Sequence, residues 1–290
     1  MNFLKPNANI VELITNIIQA SQKNMQTINI HSQVIDPFSS IIEASLNELD
    51  YENWIRSESS RQKQKTLQNA IGRLHQELLG QIIDVDNLGI GQWVDIVCHN
   101  KRIIAEIKTK HNTVKKTDLY SVYDELAAAL RNPLYNGYTA YYVEIIPAKP
   151  ISYDTTFTPV DNNTKQSRQT NEKIRQIDGK SFYALLTGEP NALQQMYEEV
   201  KNILSETSNL QEAKRFNDLF LRAYDINFFL KNKCPSIVRL ETTKNIQLIE
   251  DQECSVKKQL RWQHGNCNFR ATIKKLEKNS FKCPTCKTTL

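Results

Sequence analysis

Apolar positions along this chain change their period several times, and each change marks an element. From residue 8 to about residue 80 they recur at helical intervals. "IVELITNIIQAS" and "TLQNAIGRLHQELLG" each carry an aliphatic stripe on one face, and Gly80 is a suitable stop for the second. Between them, "PFSSIIEASLNEL" predicts a helix with Ser39 or Ser40 as N-cap and Glu43 close behind. "DVDNLGIGQW" is rich in turn residues. The period then drops to two. "WVDIVC" and "RIIAEIKT" alternate as half-buried strands do, which predicts a hairpin of residues 93–98 and 102–109. A two-residue loop at Asn100-Lys101 would join them, because Asn tolerates the positive φ such loops require.

Beyond the hairpin, "TDLYSVYDELAAALR" predicts a helix capped by Thr117, and "GYTAYYVEIIP" a buried strand ended by Pro147. Residues 155–173 show no apolar period and predict a long exposed loop. "NALQQMYEEVKNILSE" closes the main unit with an amphipathic helix, and a polar break near residues 207–209 precedes a helical stretch over 211–231. The predicted organisation is a main domain over 1–205, a helical connector over 206–250 and a small module over 251–290. Internal repeats and low-complexity tracts are lacking.

The hairpin raises a chemical question. In the predicted register Asp95 lies opposite Glu106 with Cβ atoms about 5 Å apart, and Lys108 lies about 7 Å further along the same face. Ile103, Ala105 and Ile107 point the other way, into a core. Two facing carboxylates repel unless something compensates, and a divalent hard cation does so. Such a pair with a neighbouring lysine can hydrolyse a phosphodiester, the lysine orienting water and stabilising charge on the phosphate. Acid-x-Lys also occurs at Asp178-Gly-Lys180 and Glu212-Ala-Lys214, beside a turn glycine and in a helical stretch. Only Glu106-Ile-Lys108 sits on an alternating strand with an Asp on its partner. The plain alternative is a solvated sheet face.

"WVDIV…AEIKTK" resembles the PD-(D/E)xK nuclease motif, with Val94 at the variable proline position. The run "NAIGRLHQELLG", "NLGIGQWVDIV", "IIAEIKTKHNTVK" and "GYTAYYVEIIPAKP" resembles a family of Type II restriction endonucleases that cleave GGNCC or GGWCC sites. That resemblance covers roughly residues 40–200. It implies an α/β fold, a restriction-endonuclease-like mixed sheet flanked by helices. It also implies Asp95 and Glu106 as ligands of a catalytic Mg²⁺, Lys108 as the catalytic lysine, and Glu77 as an accessory acid whose plain alternative is a surface charge. Double-stranded DNA is the implied partner, with Lys110, Asn112, Lys115 and Lys116, beside His111, as phosphate contacts. Arg168 and Arg175, with Lys165 and Lys173, are candidates for reading guanine edges. A two-fold target implies a homodimer, and a restriction enzyme implies a DNA methyltransferase encoded nearby. Two further readings are open: a same-fold nuclease with a repair or modified-DNA-dependent duty, and a non-catalytic zinc-containing DNA-binding protein.

The C-terminal segment carries separate chemistry. His264-x2-Cys267 is followed, after a short β-rich insert, by Cys283-Pro-Thr-Cys286. Paired ligands on two knuckles are what tetrahedral, structural Zn²⁺ asks for, and the module resembles a zinc ribbon. Cys254 could replace His264, and Cys234 is a remoter candidate. The module is too small to hold a core unaided, so the metal would supply folding energy. Arg261, Arg270, Lys274, Lys275 and Lys278 suit DNA contact, although such modules also mediate dimerisation.

Composition narrows the rest. Most of the six cysteines crowd the C-terminus, which reads as metal chemistry in a reducing compartment and not as a secreted disulfide scaffold. The net charge of +5 permits a polyanionic partner without demanding one. The N-terminus shows no signal-peptide pattern, and no run approaches the ~20 apolar residues of a membrane span. The expected location is the cytoplasm, without membrane contact.

Overall fold

The computed structural model describes residues 1–26, 34–89, 91–115, 117–161, 166–207, 216–226, 228–229, 240, 244, 246–250, 260–277 and 282–289. Lys116, Lys165, Cys234, Cys254, Lys278 and the Glu212-Ala-Lys214 motif lie outside them. Among the described residues no helix is long and apolar enough to cross a membrane.

The N-terminal third is helical: α1 (Ile10–Gln26), α2 (Pro37–Leu46) and α3 (Tyr51–Leu79). The α2 cap is Asp36, not Ser39 or Ser40: its carboxylate accepts the Phe38 N–H, and Pro37 occupies the first turn, where no N–H is missed. Asp50 caps α3 through the Asn53 N–H, so this helix starts well before its apolar stripe. Gly80 ends α3 in a right-handed conformation. The space there is tight, since a Cβ would sit 3.0 Å from that of Asn87.

A six-stranded mixed sheet follows, built from β1 (Val85–Asn87), β2 (Ile96–Cys98), β3 (Ile103–Lys110), β4 (Thr139–Ile146), β5 (Asp154–Thr156) and β6 (Ile174–Asp178). Its spatial order is β1-β2-β3-β4-β6-β5. The first three strands are antiparallel, β3, β4 and β6 run parallel, and β5 returns antiparallel at the edge. α4 (Leu119–Arg131) makes the crossover from β3 to β4, while α5 (Gly179–Thr187) and α6 (Ala192–Thr207) pack on the other face. Asp118, not Thr117, is the α4 cap residue; Thr117 spends its hydroxyl on the Asp118 carboxylate.

Both sheet faces are covered, so β3 and β4 are buried on alternate sides. Ile103, Ala105, Ile107, Tyr141, Val143 and Ile145 join the core beneath α1, α3, α5 and α6. Ile104, Ala140 and Tyr142 join a second core beneath α4. The stretch expected to be an exposed loop is partly built in: β5 occupies its start, and Phe157 stacks on Tyr142 with ring centroids 4.8 Å apart.

α7 (Asn217–Tyr224) leans on the main core through Phe220 and Tyr224. The C-terminal part forms a meander of β7 (Gln247–Glu250), β8 (Leu260–His264) and β9 (Cys267–Ala271), followed by α8 (Ile273–Leu276). Its own small core holds Trp262, Phe269, Ile273, Leu276 and Cys283.

Candidate active site and metal centre

Along β3 the α4-facing positions run Ile104, Glu106, Lys108, passing from a fully buried aliphatic side chain to two partly exposed charges. Glu106 and Lys108 form an ion pair, with Lys108 Nζ 2.5 Å from Glu106 Oε1. The β2–β3 register extrapolates to Asp95 opposite Glu106, as the sequence predicts. The ladder itself stops at Ile96. The Asp95 N–H donates to Ala105 O at 3.0 Å, and its carboxylate, not its backbone, accepts the Ile107 N–H at 2.6 Å. The turn is also longer than expected: His99 to Arg102 separate the strands, and Arg102, not Asn100, takes the positive φ of 53°.

Burial is the main cause that pushes the Asp95 carboxyl up to about 6, and the Glu106 charge adds to it. The Ile107 N–H, the Lys108 ammonium and a hydrogen bond from the Gln76 side chain pull the other way. Asp95 and Glu106 share a cleft of about 550 Å³ with Arg73, Gln76, Gly89, Gly91, Gln92, Trp93 and Glu125. Two carboxylates in one cleft, one of them protonated more readily than usual, are a donor set that fits a hard divalent cation.

Glu77 is not brought there. It is exposed and lines a different hollow with Asn9 and Glu12, because one residue along a helix turns the side chain by about 100°. Gln76 faces the cleft instead, and Arg73 lines both hollows. Sequence reasoning missed both, together with Glu125 on α4 and Glu144 on β4. Glu144 is beside Lys108 in the parallel register, 7% exposed, and accepts the Tyr153 hydroxyl at 2.5 Å. An acid within the apolar run "TAYYVEII" was a legible sign of it.

Lys110, Asn112 and Lys115 are exposed where β3 leaves the sheet, directly after Lys108. Arg168 lies over the Tyr120 ring, 4.3 Å from its centroid, and pairs with Asp124 at 2.5 Å, so it is anchored to α4. Arg175 is not near the acids. It is level with Tyr141, on the sheet face away from Glu106, and is held by Asp154 at 2.6 Å. Asp178-Gly-Lys180 is structural: Asp178 is 1% exposed, caps α5 through the Ser181 N–H and accepts the Tyr153 N–H.

In the C-terminal module three of the four expected ligands, His264, Cys283 and Cys286, converge, and the fourth, Cys267, lies beside them. The β8–β9 hairpin sets His264 opposite Cys267. Ligand atoms of His264, Cys283 and Cys286 lie within 4.8 Å of one another, and Cys286 Sγ is 3.7 Å from His264 Nδ1. Cys267 exchanges hydrogen bonds with Cys286 and Cys283. Hydrogen bonds from Thr288, then from His264 and Cys283, hold the Cys286 thiol down at about 6. Tetrahedral metal–sulfur bonds of about 2.3 Å need donors only slightly closer than these. The described cysteines are free thiols, so one imidazole and three thiols are available to a metal ion.

Residues 1–208 match the family model described as Eco47II restriction endonuclease. The Type II restriction enzyme Eco47II of Escherichia coli is 42% identical over 182 residues, 60% of this chain and 75% of that protein. The Type II restriction enzyme Sau96I of Staphylococcus aureus is 29% identical over 192 residues, 65% of this chain and 73% of that protein. The family match spans the mixed sheet and its cleft and stops before α7 and the thiol cluster.

Proposed function

This chain belongs to the Eco47II restriction endonuclease family and is a Type II site-specific endodeoxyribonuclease, and from that premise we propose that Asp95, Glu106 and Lys108 are its catalytic centre. The observation that carries the assignment is their convergence: a half-buried carboxylate with a raised pKa, a second carboxylate opposite it in the same cleft, and a lysine paired to the latter. Asp95 and Glu106 would hold Mg²⁺, which when bound supplies charge stabilisation at the phosphate and a water of lowered pKa. Lys108, here paired to Glu106, would with Glu106 engaged by the metal be free to stabilise charge on a scissile phosphate and to orient a water. Gln76 orients the Asp95 carboxylate, and Glu144 offers the lysine an alternative counter-charge.

Lys110, Asn112 and Lys115 extend the cationic edge along the duplex backbone, where they fix position without reading sequence. The target is a short site of the GGNCC or GGWCC kind, cut by a homodimer in which each subunit cleaves one strand. The enzyme works in the cytoplasm beside a methyltransferase of the same specificity. The His264, Cys267, Cys283 and Cys286 cluster holds a structural Zn²⁺, since four protein ligands leave no open position for catalysis.

The test is digestion of unmethylated and methylated phage DNA with Mg²⁺ or EDTA, with Asp95→Ala and Lys108→Ala alongside. Discrete Mg²⁺-dependent fragments that both variants fail to produce are the expected result. Cleavage undiminished in either variant would overturn the assignment of the centre.

A further inference from the structure

The α4-facing side of β3 and β4 carries four functional side chains in two register pairs: Glu106 is level with Tyr142, and Lys108 with Glu144. Neighbouring strands stand about 4.8 Å apart, so the four share one small patch of the sheet. Glu144 is held in place there. The Tyr153 hydroxyl donates to its Oε2, and the Tyr153 N–H bonds Asp178, which ties that loop to the start of α5. Tyr142 is fully buried with its ring stacked on Phe157, yet its hydroxyl oxygen has no hydrogen-bond partner. Burial, and then the charges of Glu144 and Glu106, push its pKa up, so the hydroxyl lies in the field of both carboxylates. A shielded hydroxyl without a partner costs stability, which a role in another state of the protein would explain.

We propose that Glu144 and the Tyr142 hydroxyl form a second seat for the Lys108 ammonium, occupied when Glu106 is given over to the metal. The inference rests on the reading of Asp95, Glu106 and Lys108 as the catalytic centre. In the structure the ammonium is paired to Glu106, so one carboxylate must serve two cations in turn. A lysine ammonium has three donors and no acceptor. Glu144 takes one of them and the Tyr142 oxygen a second, which leaves the third for a phosphate oxygen or a water. The move needs only side-chain rotation, because Glu144 is level with Lys108. Glu144 and Tyr142 are positioning residues that touch the lysine and not the DNA. Coupling between the two cations is the consequence: displacing the ammonium from Glu106 is easier when a second seat awaits it.

Mg²⁺ titration of the full chain, followed by quenching of the exposed Trp93 that lines the cleft, tests this without DNA or turnover. Glu144→Gln keeps the shape and the acceptor for Tyr153, and should raise half-saturating Mg²⁺ roughly threefold to tenfold. Tyr142→Phe should raise it about twofold to threefold, with a thermal midpoint no lower than wild type, because it removes an unpartnered hydroxyl. In Lys108→Ala no ammonium has to move, so adding Glu144→Gln should change the half-saturation by less than about twofold. Equal weakening with and without Lys108 would make Glu144 a metal ligand and overturn the seat. So would a Glu144→Gln titration that matches wild type. Should Glu144→Gln fail to fold, Tyr142→Phe with and without Lys108→Ala decides the same question. Mg²⁺ binding left unchanged by Asp95→Ala would instead overturn the reading of the centre itself.

Discussion

Two glycine-to-alanine substitutions should act with opposite sign. Gly179 opens α5 beneath β4, and a Cβ built there would lie 2.4 Å from Ile145 O, 2.7 Å from its Cα and 3.0 Å from its carbonyl carbon. All three are backbone atoms of a central strand, so no rotamer change relieves the clash. β4 would have to shift, and it carries Tyr142 and Glu144 into the site region. Overpacking of this kind costs roughly 1–3 kcal/mol. Gly72, in the middle of α3, has nothing within 4 Å of its Cβ position. There alanine removes the helical penalty of glycine, a gain of about 0.5–1 kcal/mol. For a domain of this size, thermal midpoints respond by about 2–4 °C per kcal/mol. Calorimetry of the full chain should therefore show Gly72→Ala melting slightly above wild type and Gly179→Ala several degrees below it. Equal or higher stability for Gly179→Ala would refute the close approach of α5 to β4.

His75 on α3 is half-buried, with a shielded and unpartnered Nδ1, and burial holds its pKa down at about 4. The unfolded chain takes up that proton first, so stability is lost as pH falls from about 6.5 toward 4, by on the order of 3 kcal/mol; His75→Leu should flatten this part of a urea-denaturation series. Because Asp95 is protonated below about 6, Mg²⁺-dependent cleavage should fall about tenfold per pH unit beneath that value, and a rate unchanged from pH 7 to 5 would count against Asp95 as a ligand. Gln76→Leu should raise the Mg²⁺ concentration for half-maximal quenching of the exposed Trp93 while leaving the fold intact; an unaltered titration would remove Gln76 from the site. Cys283→Ser should abolish zinc content and the near-ultraviolet signal of the buried Trp262, measured by metal analysis and circular dichroism.

The hairpin and the His/Cys cluster were legible for physical reasons. A half-buried strand imposes a two-residue period, and a tetrahedral metal imposes paired ligands, so both leave spacing in the sequence. What stayed hidden depended on tertiary choices. The carboxylate of Asp95 replaces a ladder carbonyl at Ile107, which alternation cannot reveal. Glu77 and Gln76 differ by one helical step, and only the packing of α3 decides which reaches the cleft. The Asp36-Pro37 cap was readable from residue types but lost to the serines that follow. Phe157 sits in a polar run, and its stacking on Tyr142 gives that run an order its composition conceals. Nor does the apolar stripe of α2 say whether it faces inward.

α3 also fixes a phase relation. It runs unbroken from Tyr51 to Leu79 without a proline, so Trp54, under α2, and Gln76, at the cleft, are about 33 Å apart along one axis. That is close to the ~34 Å of one DNA helical turn. Loops absorb insertions, but a helix does not: one added residue rotates the cleft-facing side by about 100°, and a whole turn advances it by about 5.4 Å. A length change within α3 that keeps Gln76 at the cleft is therefore expected only in near-integral turns. Each such step would move Trp54 and the α2 that covers it along the axis relative to the cleft, without touching any residue that lines the cleft.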